Sequence, residues 1–160
     1  MPCYLFTLHA YGSWYPDRPQ GYVVRGQGIL PSDAEEARRY RQRAAHAPAT
    51  LEAAQQRAII AQAVEAAAVL GCRLHFVATE PTHVHLLVSW STQCTWACVR
   101  KSFKKALTIR LKGQLGKRPW FSENGSRKRV TDQDHFDYLV GKYLPDHSGW
   151  KWCEGRGEFL

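Results

Sequence analysis

The side chains of this sequence best suited to chemistry are two histidines one residue apart, His83 and His85, and a tyrosine–histidine pair four residues apart, Tyr143 and His147. In His83-Val84-His85-Leu86-Leu87-Val88-Ser89, the alternation of a strand sends His83, His85, Leu87 and Ser89 to one face and Val84, Leu86 and Val88 to the other. Residues i and i+2 on a strand lie about 7 Å apart at Cα, a spacing from which two imidazoles can converge on one divalent ion. In a continuous helix Tyr143 and His147 share a face, so His147 can serve as a third ligand beside a phenol. Such a set suits phosphoryl transfer. The ion polarises a phosphoryl oxygen, and the tyrosinate forms a covalent intermediate that keeps the energy of the broken phosphodiester for rejoining. Tyr138 competes with Tyr143 for that role. His9 has the parity of the histidine face on an earlier strand, and His75 shares that face if Val77 pairs opposite His85. Both read as hydrogen-bonded sheet histidines rather than ligands.

The elements that must position these groups follow from periodicity. Residues 4–10 alternate as a strand, and Gly12 to Pro31, rich in Gly, Pro and aromatics, reads as a long loop or irregular hairpin. Ser32-Asp33-Ala34-Glu35 has the capping-box pattern opening a short helix to about Ala45. Ala47-Pro48-Ala49-Thr50 ends it, and Thr50 caps a long Ala-rich helix with a stripe of Ile59, Ile60, Ala63, Ala66, Ala67 and Leu70, closed at Gly71. Strands 73–79 and 83–89 flank the turn Glu80-Pro81-Thr82. A helix from about Thr92 to Lys112 buries Trp96, Val99, Phe103, Ala106 and Leu107 and presents Lys101, Lys104, Lys105, Thr108 and Lys112 on another face. Gly113 to Arg129 is a basic connection with a short strand at Pro119-Trp120-Phe121, and a last helix runs from about Asp132 to Leu144. The order strand–helix–strand–strand–helix predicts an α+β, ferredoxin-like (RRM-like) antiparallel sheet, its helices on one face and the histidine site on the other, in one domain spanning 1–160.

Composition narrows the class. The chain has 160 residues, 44% of them hydrophobic, and a net charge of +8. Eleven of its basic residues fall between Arg100 and Arg129, against the single acid Glu123. Such a block points to a polyanionic partner, most commonly nucleic acid. Five cysteines without a CxxC pair argue for free thiols and a reducing compartment, against a disulfide scaffold or a structural zinc site. No apolar run is long enough to span a membrane, and no signal-peptide pattern precedes the first strand. The expected location is the cytoplasm.

Thr82-His83-Val84-His85-Leu86-Leu87-Val88 resembles the histidine strand of the HUH single-tyrosine transposases: the IS-two-hundred group of insertion-sequence enzymes and the REP-associated tyrosine transposases. Leu5-Phe6-Thr7-Leu8 through Tyr11-Gly12-Ser13-Trp14-Tyr15-Pro16 is similar to the opening strand and loop of a subset of them. Lys101-Ser102-Phe103-Lys104 resembles their basic helix, and Trp120-Phe121 with Arg129-Val130 their approach to the tyrosine helix. The resemblance implies a ferredoxin-like fold, Mg²⁺ or Mn²⁺ as cofactor, and nicking and rejoining of single-stranded DNA, often at hairpins, through a 5'-phosphotyrosine. It makes His83 and His85 the HUH ligands and Tyr143, thirteen residues after Val130, the nucleophile. It puts His147 where relatives carry Gln or Asn as third ligand. Relatives include homodimers in which the tyrosine reaches the partner's histidines, and monomers. This sequence departs from the pattern at Pro145, which removes a helical N–H and disfavours helical geometry at Leu144, and in the length of the segment from Gly12 to about Thr50.

Lys101, Lys104, Lys105 and Lys112 suit phosphate contacts, and Arg127, Lys128 and Arg129 are placed to clamp a strand near the cut. Trp14, Tyr15, Trp120, Trp150 and Trp152 are candidates for base stacking. A non-catalytic single-stranded nucleic-acid binder on the same sheet would keep these features without needing the histidine pair or Tyr143. A histidine phosphohydrolase with three alternating histidines fails at Leu87.

Overall fold

The computed structural model describes residues 1–24 and 26–160. In chain order the elements are β1 (Cys3–His9), β2 (Tyr22–Val24), β3 (Gly28–Leu30), α1 (Ala34–Arg43), α2 (Ala53–Leu70), β4 (Cys72–Glu80) and β5 (His83–Trp90). They continue with α3 (Trp96–Leu115), β6 (Ser126–Arg129), α4 (Gln133–Tyr138), a π-helical turn over Leu139–Tyr143, β7 (Lys151–Cys153) and β8 (Gly157–Phe159). Six strands form an antiparallel sheet in the order β6-β1-β5-β4-β7-β8, and β2 and β3 make a separate hairpin. The first four sheet strands with α2 and α3 give the βαββαβ order of the ferredoxin-like layer, as the sequence predicts.

Strand parity sorts the side chains. Phe6, Leu8, Val77, Val84, Leu86 and Val88 are buried beneath α2 and α3, which contribute Ile59, Ile60, Ala63, Val99, Phe103, Leu107 and Leu111. On the opposite face Leu5, Phe76, Ala78 and Leu87 form a second core with Leu139 and Leu144. The histidine face is therefore not bare: the tyrosine segment covers part of it. Apolar side chains on both sheet faces explain why β5 reads as a near-continuous hydrophobic run.

Several local expectations shift for identifiable reasons. Asp33, not Ser32, caps α1, its carboxylate accepting from the Glu36 amide at 2.9 Å. No side chain caps α2, which starts after Leu51 because that residue is fully buried and its N–H donates to Pro81 O. α3 begins at Trp96 because the Trp90 indole donates to Cys94 O, holding the preceding turn, and Thr95 caps the helix. The hairpin pairs Ala78, not Val77, with His85, and a bulge between Leu74 and Phe76 turns His75 onto the histidine face even so. Pro119-Trp120-Phe121 makes only a single bridge, Phe121 to Ala10. The strand in that connection is instead the exposed, fully polar β6, and β7 and β8 are three residues each; none carries an apolar pattern.

Pro145 does not expel Leu144 from helical geometry. Leu144 keeps φ −72° and ψ −37°, and its N–H donates to Leu139 O, five residues back. The π-helical turn absorbs the proline, which has no N–H to continue the ladder. Leu144→Ala, at a fully buried position, is expected to lower the unfolding free energy by about 2–5 kcal/mol, read from the midpoint of urea denaturation at unchanged slope.

Candidate metal centre and active site

His83 and His85 rise from β5 onto the same face, half-buried and buried respectively, and His147 arrives from the chain after the π-helical turn. One ring nitrogen from each of the three lies within 4.8 Å of the others. Ligand nitrogens about 2.1 Å from a common ion lie no more than about 4.2 Å apart, so roughly half an ångström of side-chain movement would complete the approach.

The Nδ1 atoms of all three are already engaged. His147 Nδ1 sits 3.0 Å from Tyr143 O and 3.2 Å from Leu144 O. Both are pure acceptors, so the proton is on Nδ1 and the lone pair on Nε2. His85 Nδ1 lies 2.9 Å from Thr7 Oγ1, and His83 Nδ1 lies 3.0 Å from Thr82 Oγ1. With those hydroxyls accepting, every Nε2 carries a lone pair. His85 Nε2 is buried and has no hydrogen-bond partner. An orphaned acceptor in a buried site is destabilising on its own, and a cation beside it would satisfy it. The donor set fits a metal.

Three anchors fix His147. Glu80 Oε1 accepts from Ser148 N at 2.8 Å and Ser148 Oγ at 3.2 Å. The buried Gln56 of α2 accepts from Trp150 N at 2.9 Å and from Thr79 Oγ1 at 3.0 Å. Between them, a Cβ on Gly149 would stand 2.1 Å from Thr79 O, so only glycine permits that approach. Lys151 Nζ closes the turn by donating to His147 O at 2.7 Å.

Tyr143 lies against the triad in the same chain, its ring 5.6 Å from that of His85 and 5.2 Å from that of His147. Tyr143 lines, with His83 and His85, a cavity of about 740 Å³. Tyr138 stacks on the outside of Tyr143 at 6.3 Å, is half-exposed, and does not line that cavity. His75 is at the other end of the face, bonded to Ser89 Oγ at 2.7 Å and facing Phe136. His9 pairs opposite His83 and lines the cavity, but its Nδ1 accepts from the Trp14 indole at 2.7 Å, which removes that nitrogen as a ligand.

Burial governs the electrostatics. It pushes His85 down to about 3, helped by the charges that His83, His147 and His9 would carry. Burial, then His83 and Arg18, lowers His9 to about 4. Burial and His147 lower His83 as well. Neutral imidazoles are the metal-binding form. Burial, then Tyr138, raises the Tyr143 phenol above its ordinary value.

The basic residues divide. Lys101, Lys105 and Lys112 are exposed on α3, whereas Lys104 is spent internally, donating to Ser122 O at 2.5 Å and Glu123 O at 2.6 Å. With Arg100, which donates to Gly125 O at 2.6 Å, it pins the loop that walls the cavity. On β6, Lys128 pairs opposite Leu5 and shares the histidine face, while Arg127, opposite Phe6, stacks on Trp96 at 3.7 Å and with Arg129 belongs to the helix face. Of the aromatic candidates only Trp14 lines the cavity. Trp120 is buried, Tyr15 and Trp150 are only partly exposed and line no part of that cavity, and Trp152 packs on the core. Thr7, Glu80 and Gln56 carry no motif. Thr7 becomes legible only once β1 is paired with β5, which puts it directly opposite His85.

Solved structures that share this fold include two transposases. A REP-associated tyrosine transposase bound to a REP hairpin matches 89% of this chain with a TM-score of 0.54 and 8% identity, and the chain spans 64% of that protein's length. A candidate transposase from Deinococcus radiodurans R1 matches with a TM-score of 0.51 and 16% identity, over 93% of this chain and 92% of its own. No protein-family model matches, and no curated protein matches the sequence. At these identities the likeness is one of fold alone: the chain shares its architecture with these two proteins.

Two outcomes follow from this geometry. His9 and His85 stay neutral in the fold well below pH 6.5, where they protonate in the unfolded chain. The unfolded state then binds more protons, so metal-free stability is fully present above that pH and declines from there towards pH 4. Thermal melting in chelator across that range should show the decline, and His85→Leu should make it shallower, leaving the share due to His9. Thr7→Val removes the hydroxyl facing His85 Nδ1 and is expected to weaken Mn²⁺ binding about 10- to 100-fold by calorimetry.

Proposed function

We propose that this protein is an HUH-type single-tyrosine transposase or endonuclease that nicks and rejoins single-stranded DNA, with His83, His85 and His147 as metal ligands and Tyr143 as nucleophile. The observation that carries this reading is the meeting of three histidines, one with an unpartnered buried nitrogen, beside a tyrosine that shares a cavity with two of them. The shared fold, a relative described as bound to a REP hairpin, and the net charge of +8 support it.

The chemistry runs through this chain's phenol. Tyr143 Oη attacks phosphorus, its proton passes to solvent, a phosphotyrosine bond forms, and the bond to the 3'-oxygen breaks, leaving a 3'-hydroxyl. Attack by a 3'-hydroxyl on the phosphotyrosine reverses the sequence and rejoins a strand. A divalent ion at the triad supplies a Lewis acid for a phosphoryl oxygen and for charge developing at phosphorus. Because burial holds the phenol protonated, attack depends on positive charge nearby. Three imidazole donors favour a transition ion such as Mn²⁺ over Mg²⁺, which prefers oxygen ligands. The exposed Lys101, Lys105 and Lys112, with Lys128 on the site face, provide phosphate contacts.

The test is a denaturing gel of the protein with labelled single-stranded hairpin DNA. A covalent adduct is expected with Mn²⁺, less with Mg²⁺ and none in chelator. Tyr143→Phe should abolish the adduct and leave binding intact, whereas Tyr138→Phe should retain it. Binding without an adduct under any metal condition would favour the non-catalytic binder, and an active Tyr143→Phe would move the nucleophile to Tyr138.

A further inference from the structure

The segment between β1 and α1 takes no part in the chemistry above, yet it forms one wall of the site. Its Trp14, Arg18 and Val23 line the same cavity as His83, His85 and Tyr143. We propose that this wall binds the unpaired nucleotide flanking the phosphate under attack, with Trp14 stacking the base and Arg18 and His9 holding its phosphate. This rests on the proposed function for the identity of the ligand, but on different residues.

Trp14 is held ready. Its indole N–H donates to His9 Nδ1 at 2.7 Å, and its ring meets His9 edge-on at 5.0 Å. Arg18 lies over the indole, 4.3 Å from its centre. Despite these contacts Trp14 stays 45% exposed. A large aromatic ring fixed by a hydrogen bond and still open to solvent is suited to take a base at low entropic cost. The same hydrogen bond dictates what His9 offers. With Nδ1 accepting, the ring proton is on Nε2, a neutral donor with no protein partner among the described residues. Its ring lies 6.2 Å from that of His83, next to the triad. Arg18 makes no ion pair among the described residues, so its guanidinium has donors for an anion.

The occupant follows from size and surface. A cavity of about 740 Å³ falls in the range of roughly 300–1,000 Å³ that holds small ligands, enough for a splayed nucleotide and not a duplex. A base can stack on Trp14 only where it has left its own stack. Val23, 68% exposed, and its cross-strand partner Ile29, 76% exposed, continue the apolar rim along the β2–β3 hairpin.

The test uses the full chain carrying Tyr143→Phe, loaded with Mn²⁺, and reads anisotropy of a labelled short oligothymidylate and of an abasic strand of the same length. Trp14→Ala is expected to weaken oligothymidylate binding about 5-fold or more and leave the abasic strand unaffected; Trp14→Phe should restore most of the loss. Arg18→Ala should weaken both strands and lower the salt slope by about one. Unchanged oligothymidylate binding in Trp14→Ala, an equal loss on both strands, or no binding by the parent overturns the inference. If binding follows the expected pattern but protein retaining Tyr143 forms no adduct, the proposed function fails while this nucleotide site stands.

Discussion

The stretch of chain from Leu139 to His147 lies clamped to one face of the sheet by contacts on both sides of it, and the candidate site exists only because of that clamp. Leu139 and Leu144 sink into the second core against Leu5, Phe76 and Leu87. Beyond them Glu80 holds Ser148, Gln56 holds Trp150, and Gly149 passes Thr79 too closely for any side chain. Tyr143 and His147 lie between these two sets of contacts. Hydrophobic burial sets how close the segment lies, and directional polar contacts set where along the sheet it stops.

The same burial produces the site's chemistry and its instability. Withdrawing imidazoles from water favours their neutral form, and the carbonyls facing His147 Nδ1 leave its Nε2 lone pair free, as the threonine hydroxyls do for His83 and His85 when they accept. Without a cation, His85 Nε2 is a buried acceptor with nothing to accept, a deficit of about 1–3 kcal/mol. Ligand binding to the folded state alone would relieve that deficit and stabilise the fold. The raised phenol of Tyr143 belongs to the same logic: a site dry enough to keep histidines neutral also keeps a tyrosine protonated until positive charge arrives.

Much of the architecture is legible in the sequence because it is periodic. The parity of β5, the apolar stripes of α2 and α3 and the strand–helix order lead directly to the sheet and its covered face. What periodicity does not encode are elements held by distant partners. β6, β7 and β8 are short and owe their pairing to neighbouring strands. Pro145 suggests a break, but a wider helical turn accommodates it, which no local propensity reports. At the site, His83 and His85 stand out from strand spacing alone. Glu80 and Gln56 act on residues 68 and 94 positions away. Lys104, which looks like a phosphate contact by helical spacing, is occupied by carbonyls of a loop that folds back over it.

The placement of β6 at the sheet edge has a further consequence. Among the described residues it pairs with β1 alone, and its alternation turns Lys128 to the histidine face and Arg127 and Arg129 to the helix face. Positive charge therefore continues around the rim of the sheet instead of ending at it. The charged edge that discourages sheet-to-sheet association thus also joins two otherwise separate surfaces.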